Sequence, residues 1–369
     1  MLEPAKDKEG QALELWLDYG CSPWRSSSQR AADLYDSGIK LWRREDLLDI
    51  EEQLAGSFTM EAFTVRRVDD TIVYIRNPMF NVQKPIWKPR IKFQEYWHLV
   101  QSKPDGHPET YHCTYLVDWV NQAVRNYDGL IRNARSLFDV KQQQWDASLT
   151  CEAFISRFRQ LLDGDGKARL ITKIICFGLG DLHLKPPDWW RLQNNAKPRD
   201  QQELETSVIE SALVHHALAL TIAKIARSCA NLRGREIRLI TQDPDYCDET
   251  KEILRSIGFE VVGGYGAGGF AEVDHESIVF SAFAKAPVKQ IVADLARPLV
   301  MIGPKNTTGG VWNSRGKPWA DPESPRTRQM WKGYESWDFP VSPDHLQVGG
   351  GLHQLEGYTR SREDAIAGS

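Results

Sequence analysis

The 369-residue sequence predicts an α/β protein: a Rossmann-like three-layer sandwich with a mainly parallel sheet, preceded by an N-terminal α+β extension. Three observations predict it. Residues 171–181 read ITKIICFGLGD, where Ile174, Ile175, Cys176 and Phe177 make a short apolar run that stops at Gly178-Leu179-Gly180. A run of that length closed by a turn signal fits a strand buried on both faces. After residue 237 similar runs alternate with helical stretches, the pattern of parallel strands joined by crossover helices. Between the two stands a helix, starting near Thr206, that is apolar on most sides and therefore expected to be buried.

Residues 1–149 are the extension. Apolar residues three and four apart predict helices at 31–35 and 44–55, the second stopped by Gly56. Residues 62–67 and 71–76 alternate and are rich in β-formers, with Asp69-Asp70 between them as a hairpin turn. Residues 77–89 hold Pro78, Pro85 and Pro89 and predict a loop, and 91–99 a further strand. Helical spacing over 115–138 predicts one helix and over 150–162 another.

The core is expected at 150–304. Its strands are predicted at 174–177, 237–241, 259–262, 278–280 and 299–302, with a helix at 247–257 and a helix or strand at 288–295. Ser207-x-x-Glu210 resembles a capping box at the start of the long helix. The tryptophans at 312, 319, 331 and 337 predict an arm packed on the core over 305–340. Gly349-Gly350-Gly351 and a polar end predict a flexible tail over 341–369.

Apolar residues at 41% and charged residues at 26% fit a globular chain rather than a disordered one. No apolar run approaches the ~20 residues of a membrane helix. The first residues, MLEPAKDKEGQALELW, mix charges and do not read as a signal peptide. The six cysteines include no C-x-x-C pair, so reduced thiols and a cytoplasmic protein are expected. His107, His112 and Cys113 are too few for a tetrahedral metal site, and no metal is expected.

The glycine turn is not a dinucleotide fingerprint, because His183 stands where the third glycine belongs and no helix begins there. A phosphate-binding G-x-x-x-x-G-K-[ST] and a G-x-S-x-G elbow are both absent. No cofactor is expected, with a methyl donor kept as the alternative. The net charge is −4, yet residues 60–103 carry eight basic residues against four acids, with Trp87, Tyr96 and Trp97 among them. That mixture suits a nucleic-acid contact, and equally a solvated strand face.

Ligands of open α/β sheets sit beyond the carboxyl ends of the strands. The loops there carry Gly178, Gly180 and Asp181, then Asp243, Asp245 and Tyr246, then Tyr265, Ser281 and Asn306. Asp181 and Asp243 cap no obvious helix, whereas Asp245 is also an ordinary helix-start acid. His215 and His216 read as buried histidines or as partners of Ser207 and Ser211 on one helix face.

Several stretches together resemble a known family. They are IICFGLGD, HHALALTIAKIA, ITQDPDYCDETKEILRSIGFEVVGG, IVFSAF and LVMIGP, and they look like the Sensitivity-to-Red-light-Reduced-like domain family over roughly residues 150–304. The chain departs from it at Ser281-Ala282-Phe283-Ala284, where the family often has Pro-His-Cys. Within the family it is similar to the fungal arginine-containing cyclodipeptide synthases. That similarity implies an enzyme that condenses arginine from arginyl-tRNA with a second amino acid into a diketopiperazine, with aminoacyl-tRNAs as partners; the alternatives are a non-catalytic regulatory or interaction protein of the same family, or a methyl-donor-dependent transferase.

Chemistry then assigns residues to that activity. An aminoacyl ester is already activated, so no ATP site is needed. Its α-ammonium, of pKa near ~8, must lose a proton to Asp181, Asp243 or His215. A guanidinium asks for a carboxylate from Asp243, Asp245 or Glu210. Ser281, then Ser207, are the candidate hydroxyls for a covalent step. Trp189, Trp190 and Tyr265 would hold the second side chain, with Gly178, Gly180, Tyr246 and Asn306 completing the substrate contacts. Arg66, Arg67, Lys84, Lys88, Arg90 and Lys92 are expected to meet tRNA.

Overall fold

A computed structural model describes residues 22–101, 103–104, 106–122, 131–163, 170–185, 188–204, 206–229, 236–282, 284–305 and 321–361. The extension begins with helices Pro23–Asp36 and Arg44–Ala55. It continues as an antiparallel ribbon of β1 (Ala62–Arg66) and β2 (Ile72–Arg76), turned at Asp70 with φ 66°. Both elements follow the sequence pattern. The next two do not.

A second ribbon pairs β3 (Trp87–Phe93) with β4 (Tyr115–Asn121), Arg90 opposite Asp118. Residues 87–89 are therefore strand, not loop, and Pro89 fits because a two-stranded ribbon leaves one edge without ladder bonds. The strand expected at 91–99 stops at Phe93, and Tyr96–Gln101 is helical. The helix expected over 115–138 is β4 at its start, residues 123–130 lie outside the described residues, and the described helix at its far end is Ala134–Asp146. Tyr115, Val117 and Trp119 alternate, and over 115–121 that period of two decides for strand.

Seven strands form the main sheet. They are β5 (Lys173–Phe177), β6 (Arg238–Gln242), β7 (Glu260–Val261), β8 (Ser277–Ser281), β9 (Val300–Pro304), β10 (Tyr334–Asp338) and β11 (Leu355–Arg360). Their order is β10-β11-β9-β8-β5-β6-β7, parallel from β9 to β7, with β11 antiparallel to both its neighbours. The chain moves outward from β5 to β6 and β7, then returns to β8 on the other side of β5. The switch point lies between β5 and β8.

Alternation of side chains divides the core into two. Ile174, Cys176, Leu239, Phe280 and Ile302 face the helices Ala134–Asp146, Leu149–Asp163 and Ser207–Cys229. Ile175, Phe177, Ile240, Val279 and Met301 face helix Val288–Leu295 and the extension. This is the three-layer sandwich. Part of the long helix, Ile209–Cys229, is long and apolar enough to cross a membrane, and most of that stretch is buried against the sheet. The capping box is not formed: the Ser207 hydroxyl donates to Glu203 at 3.3 Å, and Glu210 accepts from Lys141 at 2.6 Å.

Residues 341–361, expected in a flexible tail, do the reverse, since β11 lies between β9 and β10. Gly357 stands opposite Trp337, where a Cβ would fall 2.1 Å from the indole. Gly357, inside the expected tail, thus makes room for a tryptophan across the ribbon. Of the four arm tryptophans, Trp331 ends helix Pro325–Trp331 and stacks on Tyr358 at 4.1 Å, and Trp337 lies in β10. Trp312 and Trp319 lie outside the described residues.

Candidate functional site

Glycine at 178 has φ +64°, and an added Cβ would meet the Ala284 backbone at 2.4 Å. At 180 φ is +91°, and a Cβ would come within 3.0 Å of Ala212 on the long helix. The turn therefore does allow close approach, as expected of its glycines, but what approaches is this chain's own backbone and helix. It is held from the next loop as well. Asp243, just past β6, accepts from the Gly180 N–H at 3.0 Å and from the Asp245 N–H at 2.9 Å.

Over these strand ends lies the β3–β4 ribbon. The Ile91 N–H donates to the Tyr265 carbonyl at 2.9 Å, and Lys88 Nζ to the Gly264 carbonyl at 3.1 Å. Glu51 of the second helix grips the same loop from below, accepting from the N–H groups of Tyr265 and Ala267 at 2.9 Å and of Gly268 at 3.1 Å. Between ribbon and sheet is a cleft of about 160 Å³. Phe177 and Phe270, stacked at 4.3 Å, and Gly178 line it together with Asp243 and Asp245. Arg90, Lys92 and Asp118 come from the ribbon, and Lys285 from the loop after β8.

The charges of the cleft are interleaved. Arg90 donates to Asp118 at 2.9 Å and its other nitrogen lies 3.9 Å from Asp245. Lys285, largely exposed, reaches Asp245 at 3.1 Å. Burial, reinforced by the Asp245 charge, pushes Asp243 up to about 6, although Lys285 and two backbone donors act the other way. A carboxyl that exchanges its proton near neutrality is a candidate acid–base group.

Not every predicted residue reaches the cleft. Asp181 is buried and its carboxylate is used locally: Oδ1 accepts from the N–H of His183 at 2.7 Å and of Leu184 at 3.0 Å, and Oδ2 from the N–H of Cys247 at 2.5 Å. It ties the turn after β5 to the start of helix Asp248–Ser256. His215 bonds the Gly350 carbonyl through Nε2 at 2.8 Å, and burial pushes it down to about 4, so it is a neutral donor beneath the C-terminal segment. Glu210 lies with it near Gly349. Ser281 is buried beside a separate void of about 10 Å³, with Lys289 and Asp321. Tyr246 is buried too, its hydroxyl between Thr241 at 2.8 Å and His216 at 3.0 Å. Tyr265 lies under Lys88, with the amine 5.0 Å from the ring centre.

The basic region divides in the same way. Arg66 pairs with Asp46 at 2.9 Å, and Arg67 with Asp69 at 3.3 Å, so both are engaged within the extension. Lys84 and Lys92 are exposed. Trp189 opens helix Asp188–Asn195, while Asn306 lies outside the described residues. Sequence reasoning missed Asp118, Lys285 and Glu51. The available signal for Asp118 was the alternation of 115–121, which sets it opposite Arg90 once β4 is read as a strand.

The predicted residues Gly178, Asp243, Asp245, Arg90 and Lys92 are thus brought to one cleft at the switch point. Its floor falls inside a recognisable family segment. Residues 150–309 match the SRR1 domain. The match spans β5 to β9 and so contains the floor, while the roof formed by β3 and β4 precedes it. No curated protein and no solved structure matches the chain. The SRR1 domain here is a parallel α/β unit whose strand ends are covered by the extension.

Proposed function

We propose that the switch-point cleft is the active site of an aminoacyl-tRNA-dependent cyclodipeptide synthase that uses arginyl-tRNA. The observation that carries the reading is Asp243, a carboxyl pushed up to about 6 in the cleft wall beside a second acid, Asp245. As carboxylate it accepts the proton of the attacking α-ammonium. The amine nitrogen then bonds the ester carbonyl carbon of the other aminoacyl group. The ester C–O bond breaks and the tRNA hydroxyl leaves with a proton. A second attack, by the remaining amine on the remaining ester, closes the ring and frees the second tRNA. Asp245 and Asp118 supply carboxylates for the arginine side chain, in exchange for Lys285 and Arg90. Lys84, Lys88 and Lys92 on the covering segment supply charge for the acceptor arm.

A second reading, a methyl-donor-dependent transferase, is favoured by the position of Asp243 at the carboxyl end of the strand next to β5, where Rossmann-type folds carry the acid that bonds a ribose hydroxyl. One experiment separates the two. The purified chain is supplied with tRNA, synthetases and mixed amino acids, and products are read by mass spectrometry. Arginine-containing diketopiperazines support the synthase. Their absence, together with calorimetric binding of S-adenosylmethionine, supports the transferase.

A further inference from the structure

Outside the cleft, one group of metal-ligating side chains is assembled by the fold from residues 66 positions apart in the chain. Asp181, His183 and Cys247 each bring a ligand atom within 4.8 Å of the others. We propose that these three residues bind a thiophilic divalent cation of the zinc class and so clamp the turn after β5 to the helix after β6. The inference is independent of the synthase reading.

Three lines of chemistry support it. The donor set is one carboxylate, one imidazole and one thiol, the ligand types that zinc accepts at tetrahedral sites. Cys247 Sγ lies 3.6 Å from Asp181 Oδ1. A tetrahedral zinc with bonds of about 2.3 Å to sulfur and about 2.0 Å to oxygen separates those ligands by about 3.5 Å. The spacing therefore admits the ion once Asp181 Oδ1 gives up one of its two backbone N–H bonds.

Thr250 provides a consistent second layer. Its Oγ1 lies 3.1 Å from both Leu182 N and His183 Nδ1, and 3.4 Å from Cys247 Sγ. With a thiolate at Cys247, the Thr250 hydroxyl donates to sulfur and accepts from the Leu182 N–H and the His183 Nδ1–H. His183 is then a neutral imidazole with one ring nitrogen oriented by Thr250 and a lone pair on the other, the form in which histidine binds metals. The Thr250 N–H also points at sulfur, at 3.4 Å. Asp181 is buried, whereas His183 and Cys247 are half-buried, so a water can reach the fourth position. Binding releases the Cys247 thiol proton to solvent, and no other bond changes.

The test uses the full chain, stripped with a chelator and titrated with Co²⁺, then Zn²⁺. The expected result is one Co²⁺ per chain with a thiolate-to-cobalt absorption band, displaced by Zn²⁺. Cys247→Ser keeps a polar side chain ahead of the helix and should melt close to wild type, yet lose the band. Thr250→Val should retain the band and weaken binding by roughly 10- to 100-fold. A wild-type chain without the band, or a Cys247→Ser chain that keeps it, overturns the proposal and leaves the three residues as a capping network only.

Discussion

Asp243 accepts the Gly180 backbone N–H at 3.0 Å, and this one bond joins the loops that end β5 and β6. The carboxyl proposed to do proton chemistry therefore also holds the floor of its own cleft. Its titration should be visible in both roles. Burial and Asp245 hold it at about 6, above the ordinary ~3.9. The folded state keeps this proton more tightly than the unfolded chain. The resulting stability is complete below the ordinary value and is lost as pH rises through about 6. Base catalysis needs the carboxylate, so kcat/KM is expected to rise along a limb centred near 6. A pH–rate profile checks this, and a flat profile between pH 5 and 7, about one unit either side of that value, counts against Asp243 as the base.

Gly178→Ala should be among the most damaging single changes in the SRR1 domain. The residue has φ +64°, and the new Cβ would lie 2.4 Å from the Ala284 backbone. Left-handed strain and the displaced loop together should cost about 3 kcal/mol or more, read by chemical denaturation. A loss under about 1 kcal/mol would mean that the loop after β8 yields easily.

Acid should destabilise the fold through the long helix. His215 and His216 are buried and held near 4, so both stay neutral in the folded state while an unfolded histidine takes a proton near ~6.5. Their contribution is present above about 6.5 and is lost as pH falls toward 4. Melting temperatures measured across that interval should fall with pH, and His215→Gln should flatten the slope.

Glu51→Ala should loosen the loop after β7, which carries the cleft-lining Gly266 and meets the roof at Tyr265. It removes the acceptor of three backbone N–H groups, at Tyr265, Ala267 and Gly268. The expected cost is about 2–3 kcal/mol, with faster hydrogen exchange at those three amides. Unchanged exchange would show that the ribbon contacts alone order the loop.

Much of the fold was legible in the sequence. Four of the five parallel strands were short apolar runs at the predicted places, because strands buried on both faces have few alternatives, and the fifth, β7, is a two-residue edge strand inside its predicted range. β11 was hidden because LEGYTR has three polar residues and a glycine whose value lies in a partner, Trp337, that only the fold supplies. β4 was hidden because residues 115–121 run into apolar residues at helical spacing. That error concealed Asp118, and with it the roof of the cleft. Asp243 and Asp245 were readable from their place after a strand. Asp181 was readable as a carboxylate but not as a ligand of backbone N–H groups, since its partner Cys247 stands 66 positions away.

The most direct test of the central claim compares the wild-type chain with Asp243→Asn in the arginyl-tRNA reaction, read by mass spectrometry beside a melting curve. Asparagine turns an N–H against one of two backbone donors, so a modest stability loss of about 1–2 kcal/mol is expected. The account predicts arginine-containing diketopiperazines from the wild-type chain and none from the folded variant. Equal product from both would contradict Asp243 as the base, and no product from a folded wild-type chain would contradict the synthase itself.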